Sequence, residues 1–88
     1  MRLTRRGTVF RLPPKEREYA ERARRFLKAE LKREDVSYKE LAERLTKDGL
    51  QETEVGIASK LARGMFSATF LLACLAILEL ERIRLGDL

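Results

Sequence analysis

Within the stretch TEVGIASKLARG, residues 53–64, Gly56, Ser59, Lys60 and Arg63 recur at helical spacing and read as one outward side. A guanidinium and an ammonium donate hydrogen bonds, a hydroxyl does either, and a glycine adds no bulk. The chain has no histidine, so the commonest general base and metal ligand is missing. Its single cysteine, Cys74, sits in the apolar run FLLACLAIL and reads as an inert core thiol. No catalytic residue, metal ligand or cofactor is therefore expected. What those side chains can do is recognise. Arg and Lys donate to guanine O6 and N7, and Ser bonds base edges or phosphates. A helix with small outward residues can enter a DNA major groove while the preceding helix braces on the backbone.

The helix that carries them is expected over 53–63, with Thr53 as its cap and Gly64 as its terminator. Ile57, Ala58, Leu61 and Met65 read as its inward side. Gly56 in the first turns costs up to ~1 kcal/mol against alanine, so a close approach there is one explanation and a tolerated weak point another. The preceding helix is expected over 37–47. Ser37-Tyr38-Lys39-Glu40 spells a capping box, and Gly49 marks the stop. Tyr38, Leu41, Ala42 and Leu45 form its apolar stripe.

A first helix is expected over about 14–33, with Tyr19, Ala23, Phe26, Leu27 and Leu31 inward and Asp35 left-handed at its exit. A fourth begins after Ser67 and is apolar nearly all round, yet too short for a membrane span of ~20 residues. The tail from 79 to 88 reads as continued helix or as a strand, and TVFRL near the N-terminus is its candidate partner. The fold class is all-α, a compact bundle of four to five helices, with short β-strands from arm and tail as an addition. Residues 1–13 form a basic arm and 14–88 the domain.

The net charge is +5, unevenly distributed. Residues 1–25 hold nine Lys/Arg against three Glu; residues 26–88 hold ten against eleven acidic residues. Clustered basic charge suits a polyanion. Arg2, Arg5, Arg6 and Arg11 in the arm read either as DNA contacts that track a minor groove or as a disordered basic tail. A chain of 88 residues has a limited core. Residues 65–85 hold more apolar side chains than one inward stripe takes, so a homodimer through that segment is expected.

The segments VSYKELAERL and IASKLARG, with a polar turn between and a capped apolar helix after, resemble the lambda-repressor-like helix-turn-helix domains. The resemblance covers residues 36–78. The further pattern of Tyr38–Leu45, Glu52–Glu54, Ile57–Gly64 and Phe66–Leu75 is similar to a small bacterial family of uncharacterised helix-turn-helix-like domains. The resemblance implies that 53–63 is a recognition helix with Ser59, Lys60 and Arg63 at the DNA. It places Thr53 and Gly56 at the head of that surface, and Ser37, Tyr38 and Lys39 over a phosphate, where a helix N-terminus favours an anion. The connection at 47–52 is longer than the usual 3–4 residues.

The leading expectation is a sequence-specific double-stranded DNA-binding regulator, homodimeric and cytoplasmic, with no membrane and no evident small-molecule ligand. The alternative is a protein-interaction adaptor of helix-turn-helix ancestry. The lone cysteine and the lack of an apolar run behind the basic N-terminus underlie the location.

Overall fold

A computed structural model describes residues 13–88. The elements are α1 (Pro14–Arg33), α2 (Tyr38–Lys47), α3 (Glu54–Arg63), α4 (Ala68–Ile77) and a 3₁₀ turn (Leu85–Asp87). The all-α class and the four helices stand as expected. No strand occurs among the described residues, and TVFRL lies outside them.

The helices start where short polar side chains can take up free backbone N–H groups. Ser37 Oγ accepts from the Glu40 N–H at 3.1 Å, Thr53 Oγ1 from Gly56 at 2.9 Å, and Ser67 Oγ from Phe70 at 3.0 Å. The second half of the expected capping box is absent: the Glu40 carboxylate accepts from Arg44, one turn on, at 2.5 Å. Pro14 opens α1, where its missing N–H costs nothing.

Three helices stop by one device. The left-handed residues are Asp35 (φ 58°), Gly49 (φ 104°) and Glu79 (φ 60°). The next residue then donates back five positions: Val36 to Leu31 O at 2.9 Å, Leu50 to Leu45 O at 2.9 Å, and Leu80 to Leu75 O at 2.9 Å. Each pair brings an apolar residue back beside one from the last turn. Only α2 uses glycine for it. A left-handed non-glycine residue costs ~1–2 kcal/mol, part of which glycine returns as chain entropy, so Glu79→Gly should stabilise by about 0.5–1 kcal/mol. Thermal unfolding should shift up by about 3–6 °C in a domain of this size. A lower melting temperature for that variant would mean that the Glu79 side chain does more than turn the chain.

The core gathers where the four helices meet. Leu27 and Leu31 from α1, Leu41 and Leu45 from α2, Ile57 and Leu61 from α3, and Phe70 and Cys74 from α4 are all buried. The chain turns by 119° between α3 and α4. No single helix among the described residues is long and apolar enough to cross a membrane. Tyr19, expected inward, is 56% exposed and stacks beneath Lys15 and Arg22 instead. Phe26 is half-buried, on a second stripe of α1 that faces the tail.

The tail is neither a continued helix nor a paired strand. After the turn at Glu79, residues 80–84 carry no helix and no ladder. Arg22 of α1 donates from Nε to Leu88 O at 2.9 Å and from its terminal nitrogen to Leu85 O at 3.2 Å. An arginine fork thus holds main-chain oxygens that a sheet would otherwise have to satisfy.

Candidate nucleic-acid interface

The rotation of α3 about its axis decides which residues can meet a ligand. Ile57, Leu61 and Gly64 point into the bundle and are buried. A Cβ on Gly64 (φ 69°) would come 3.3 Å from the Ala20 carbonyl oxygen, so α1 and α3 approach closely there. Val55, Ala58, Ser59, Ala62 and Arg63 are exposed, Val55 at 78%. The expected inward side is corrected at two positions: Ala58 faces out, and Met65 is 40% exposed. Gly56 and Lys60 are both half-buried, which turns them away from the centre of the outward side.

The cause is Glu52, in the connection before α3. Its side chain is only 10% exposed and accepts a hydrogen bond from Lys60 Nζ. That ammonium lies 5.0 Å from the centroid of the Phe70 ring, within cation–π range. A Cβ at position 56 would meet Thr53 Oγ1 at 3.1 Å and Glu52 Oε1 at 3.2 Å. Gly56 therefore leaves room for the cap and for the carboxylate that pairs with Lys60; it is not an opening for a second backbone. The Thr46 hydroxyl donates to Glu52 O at 3.2 Å and accepts from the Glu52 N–H at 3.4 Å, tying the end of α2 to the head of α3. In the sequence Glu52 shows only as part of the Glu52–Glu54 segment, with no role legible there, because its partner stands eight residues later.

Cys74 lies fully buried beneath this anchor. Burial first, then the Glu52 charge, pushes its thiol from 9.0 up to about 12, with Lys60 opposing. The folded thiol thus keeps its proton where an unfolded one ionises. Its share of stability is held below about pH 9 and lost as the pH rises from there towards 12. A thiol-specific disulfide reagent at pH 8 should titrate Cys74 only after denaturation; prompt native-state reaction would contradict its burial.

The other expected contacts separate. Arg63 donates to Ser59 Oγ at 3.1 Å, so these two stand together on the outward side of α3. Ser37 is committed to capping α2, and Tyr38 is half-buried against the core. Lys39 is exposed and pairs with no acidic residue among the described ones. It shares a shallow depression between α2 and α3 with Lys47, Glu43, Glu52 and Glu54, so that border carries more acidic than basic side chains. Arg2, Arg5, Arg6 and Arg11 lie outside the described residues. No three His, Cys, Asp or Glu side chains gather as a metal site among the described residues.

The apolar surplus expected in 65–85 is largely covered by the chain itself. Phe70, Leu75 and Leu78 are buried, and Phe66, Leu71, Ile77, Leu80 and Ile83 are half-buried. The tail lying back on α1 supplies cover that a lone helix could not have. Met65, Leu72 and Leu85 remain outside; Leu72, at 66% exposure, is flanked by exposed Ala68, Thr69 and Ala76.

Residues 19–83 match a family described as a domain of unknown function (DUF6471). No curated protein and no solved structure matches the chain.

Proposed function

The chain belongs to the DUF6471 family, and for this member we propose sequence-specific binding of double-stranded DNA through the outward side of α3, in the manner of the lambda-repressor-like domains it resembles. One observation carries the reading: α3 is capped at both ends, and between Glu54 at its head and Arg63 at its end the outward side presents Val55, Ala58, Ser59 and Ala62, none larger than valine. Small side chains let a helix axis sit deep between phosphate walls. Methyl groups of Val and Ala suit thymine C5 methyls, while Ser59 and Arg63 donate to base edges. Arg63 serves guanine best, since its fork matches O6 and N7 together.

Lys60 has a different role in this reading from the one its sequence position suggested. It holds Glu52 and fixes the setting of α3 rather than touching bases. The long connection between α2 and α3 is bridged by the Thr46–Glu52 hydrogen bonds, which supports a fixed angle between bracing and reading helices. Lys39 serves a phosphate beside the start of α2, and the basic arm adds contacts that carry no sequence information.

Regulation of transcription as a homodimer completes the proposal. The uncharged stripe Ala68, Leu72, Ala76 on α4, at i, i+4, i+8, is its interface, smaller than the whole 65–85 segment. To read two half-sites, such a pair must set its two α3 helices about 34–36 Å apart, one turn of DNA. The adaptor alternative draws on Glu54, an exposed carboxylate at the head of α3, and on the near-neutral charge of residues 26–88.

Salt dependence separates the two. Affinity for random duplex DNA should fall linearly on a log–log plot, because bound phosphates release counterions. Deleting residues 1–11, which hold four arginines and no acidic residue, should reduce the slope by up to about four. An unchanged slope means that the arm touches no phosphate. No duplex affinity even at low salt favours the adaptor.

A further inference from the structure

We propose that the cleft between α1 and the tail binds a small amphiphilic anion: a carboxylate or phosphate carried on an acyl or aromatic body. The cleft encloses about 740 Å³, within the few hundred to a thousand that small-molecule sites occupy. Its walls come from two elements far apart in sequence. Arg25, Phe26 and Ala29 belong to α1, and Leu80, Arg82 and Ile83 to the returning tail.

The chemistry of the walls is divided. Phe26, Leu80 and Ile83 are half-buried and give an apolar floor. Cationic groups stand over it, and their commitments differ. Arg22 is used up in holding the tail by Leu85 O and Leu88 O. Arg33 is paired with Glu30, whose carboxylate is 7% exposed. Arg25 has only a loose 3.8 Å approach to Glu21 on its own helix. Arg82 is exposed and has no partner among the described residues. The cleft thus offers two weakly committed guanidiniums, while its one side-chain carboxylate, Glu30, is paired with Arg33 and the Leu88 main-chain oxygen with Arg22. A guanidinium binds carboxylate and phosphate alike through parallel donors. An anion without an apolar body leaves the floor wet, and an apolar body without an anion leaves Arg82 unpaired. Only the combination satisfies both.

The cleft is also structurally prepared. Glu79 turns left-handed (φ 60°) to send the tail back, and Arg22 fastens it to α1 at residues 85 and 88. The floor therefore exists before a ligand arrives, which lowers the ordering cost of binding. A free, monomeric ligand is the source we assign. A lipid headgroup presents the same anion, so vesicles form one arm of the test.

This inference does not rest on DNA binding by α3, and either can fail alone. The probes are decanoate, dodecyl phosphate and decanol, each below its aggregation concentration, followed by calorimetric titration of the full chain. Phosphatidylglycerol vesicles are tested by co-sedimentation. Decanoate and dodecyl phosphate should bind, and decanol should bind at least about tenfold more weakly, the loss of one charge-assisted hydrogen-bond pair. Arg82→Gln should weaken both anions by a similar factor with an unchanged melting temperature. Ala29→Trp, which fills the cleft from an exposed position, should abolish binding while the helical spectrum stays as in the wild type. Equal binding of decanol and decanoate overturns the proposal, as does an unaffected Arg82→Gln or Ala29→Trp variant. Association with vesicles without binding of either monomeric anion overturns it as well.

Discussion

Ser59→Glu should reduce duplex DNA affinity at least about a hundredfold, equivalent to about 2.7 kcal/mol, while leaving the melting temperature within about 2 °C of the wild type. Ser59 is exposed at the middle of the outward side of α3, one turn before Arg63, whose guanidinium it accepts from at 3.1 Å. A carboxylate there acts twice. It sets a like charge against the phosphates, a juxtaposition worth several kcal/mol. It also captures Arg63 as an i, i+4 partner and withdraws it from the bases. Stability should hold because glutamate is at least as good a helix former as serine and nothing packs over the position. Electrophoretic mobility and a thermal melt check both halves. Full DNA affinity in a folded Ser59→Glu protein removes α3 from the interface.

Lys60→Met should behave in the opposite way: a large loss of stability with base preference retained. The substitution leaves the Glu52 carboxylate, 10% exposed, without the ammonium that donates to it. Breaking a fully buried pair costs about 3–5 kcal/mol. Lys60 retains 30% exposure, so screening lowers the expected cost to about 2 kcal/mol. That corresponds to a fall of roughly 8–16 °C in melting temperature for a domain of this size. The double variant Lys60→Met, Glu52→Gln should recover most of it, since no charge is then stranded. A Lys60→Met protein of wild-type stability that has lost its sequence preference would return Lys60 to the reading surface.

The two residues also mark where sequence stopped being informative. Helix ends were legible because they are local chemistry: Ser37, Thr53 and Ser67 are short acceptors standing before apolar periodic segments, and each caps as expected. Asp35 was legible as a left-handed exit for the same reason. The rotation of α3 was not. A lysine and a glycine at helical spacing look like surface, and only the pairing of Lys60 with Glu52 across the turn pulls that edge of the helix inward. Phe26 was assigned to the bundle because periodicity counts apolar residues without saying which neighbour they meet; its neighbour proves to be the tail. The tail itself has too few residues after Glu79 to carry a period. Its place is set by Arg22 reaching main-chain oxygens more than sixty residues away, a contact that leaves no local mark.

The exposed α4 stripe follows the same logic from the other side. Near-uniform apolarity of Ala68–Ile77 suggests a helix either central to the core or shared between subunits, and Phe70 and Cys74 do join the core. Packing against α2 and the shared core accounts for most of that surface, and Leu72 is the large side chain of α4 that remains exposed. In the proposed dimer, half-site symmetry in a DNA target would depend on Leu72 and its two alanine neighbours.

Selection of bound sequences from a random duplex library by the full chain tests DNA reading most directly. Reading through Ser59 and Arg63 requires an enriched motif containing guanine, present as two half-sites related by two-fold symmetry and spaced about one helical turn apart. Output indistinguishable from the input library, obtained with protein that is folded and retained at low salt, would contradict it.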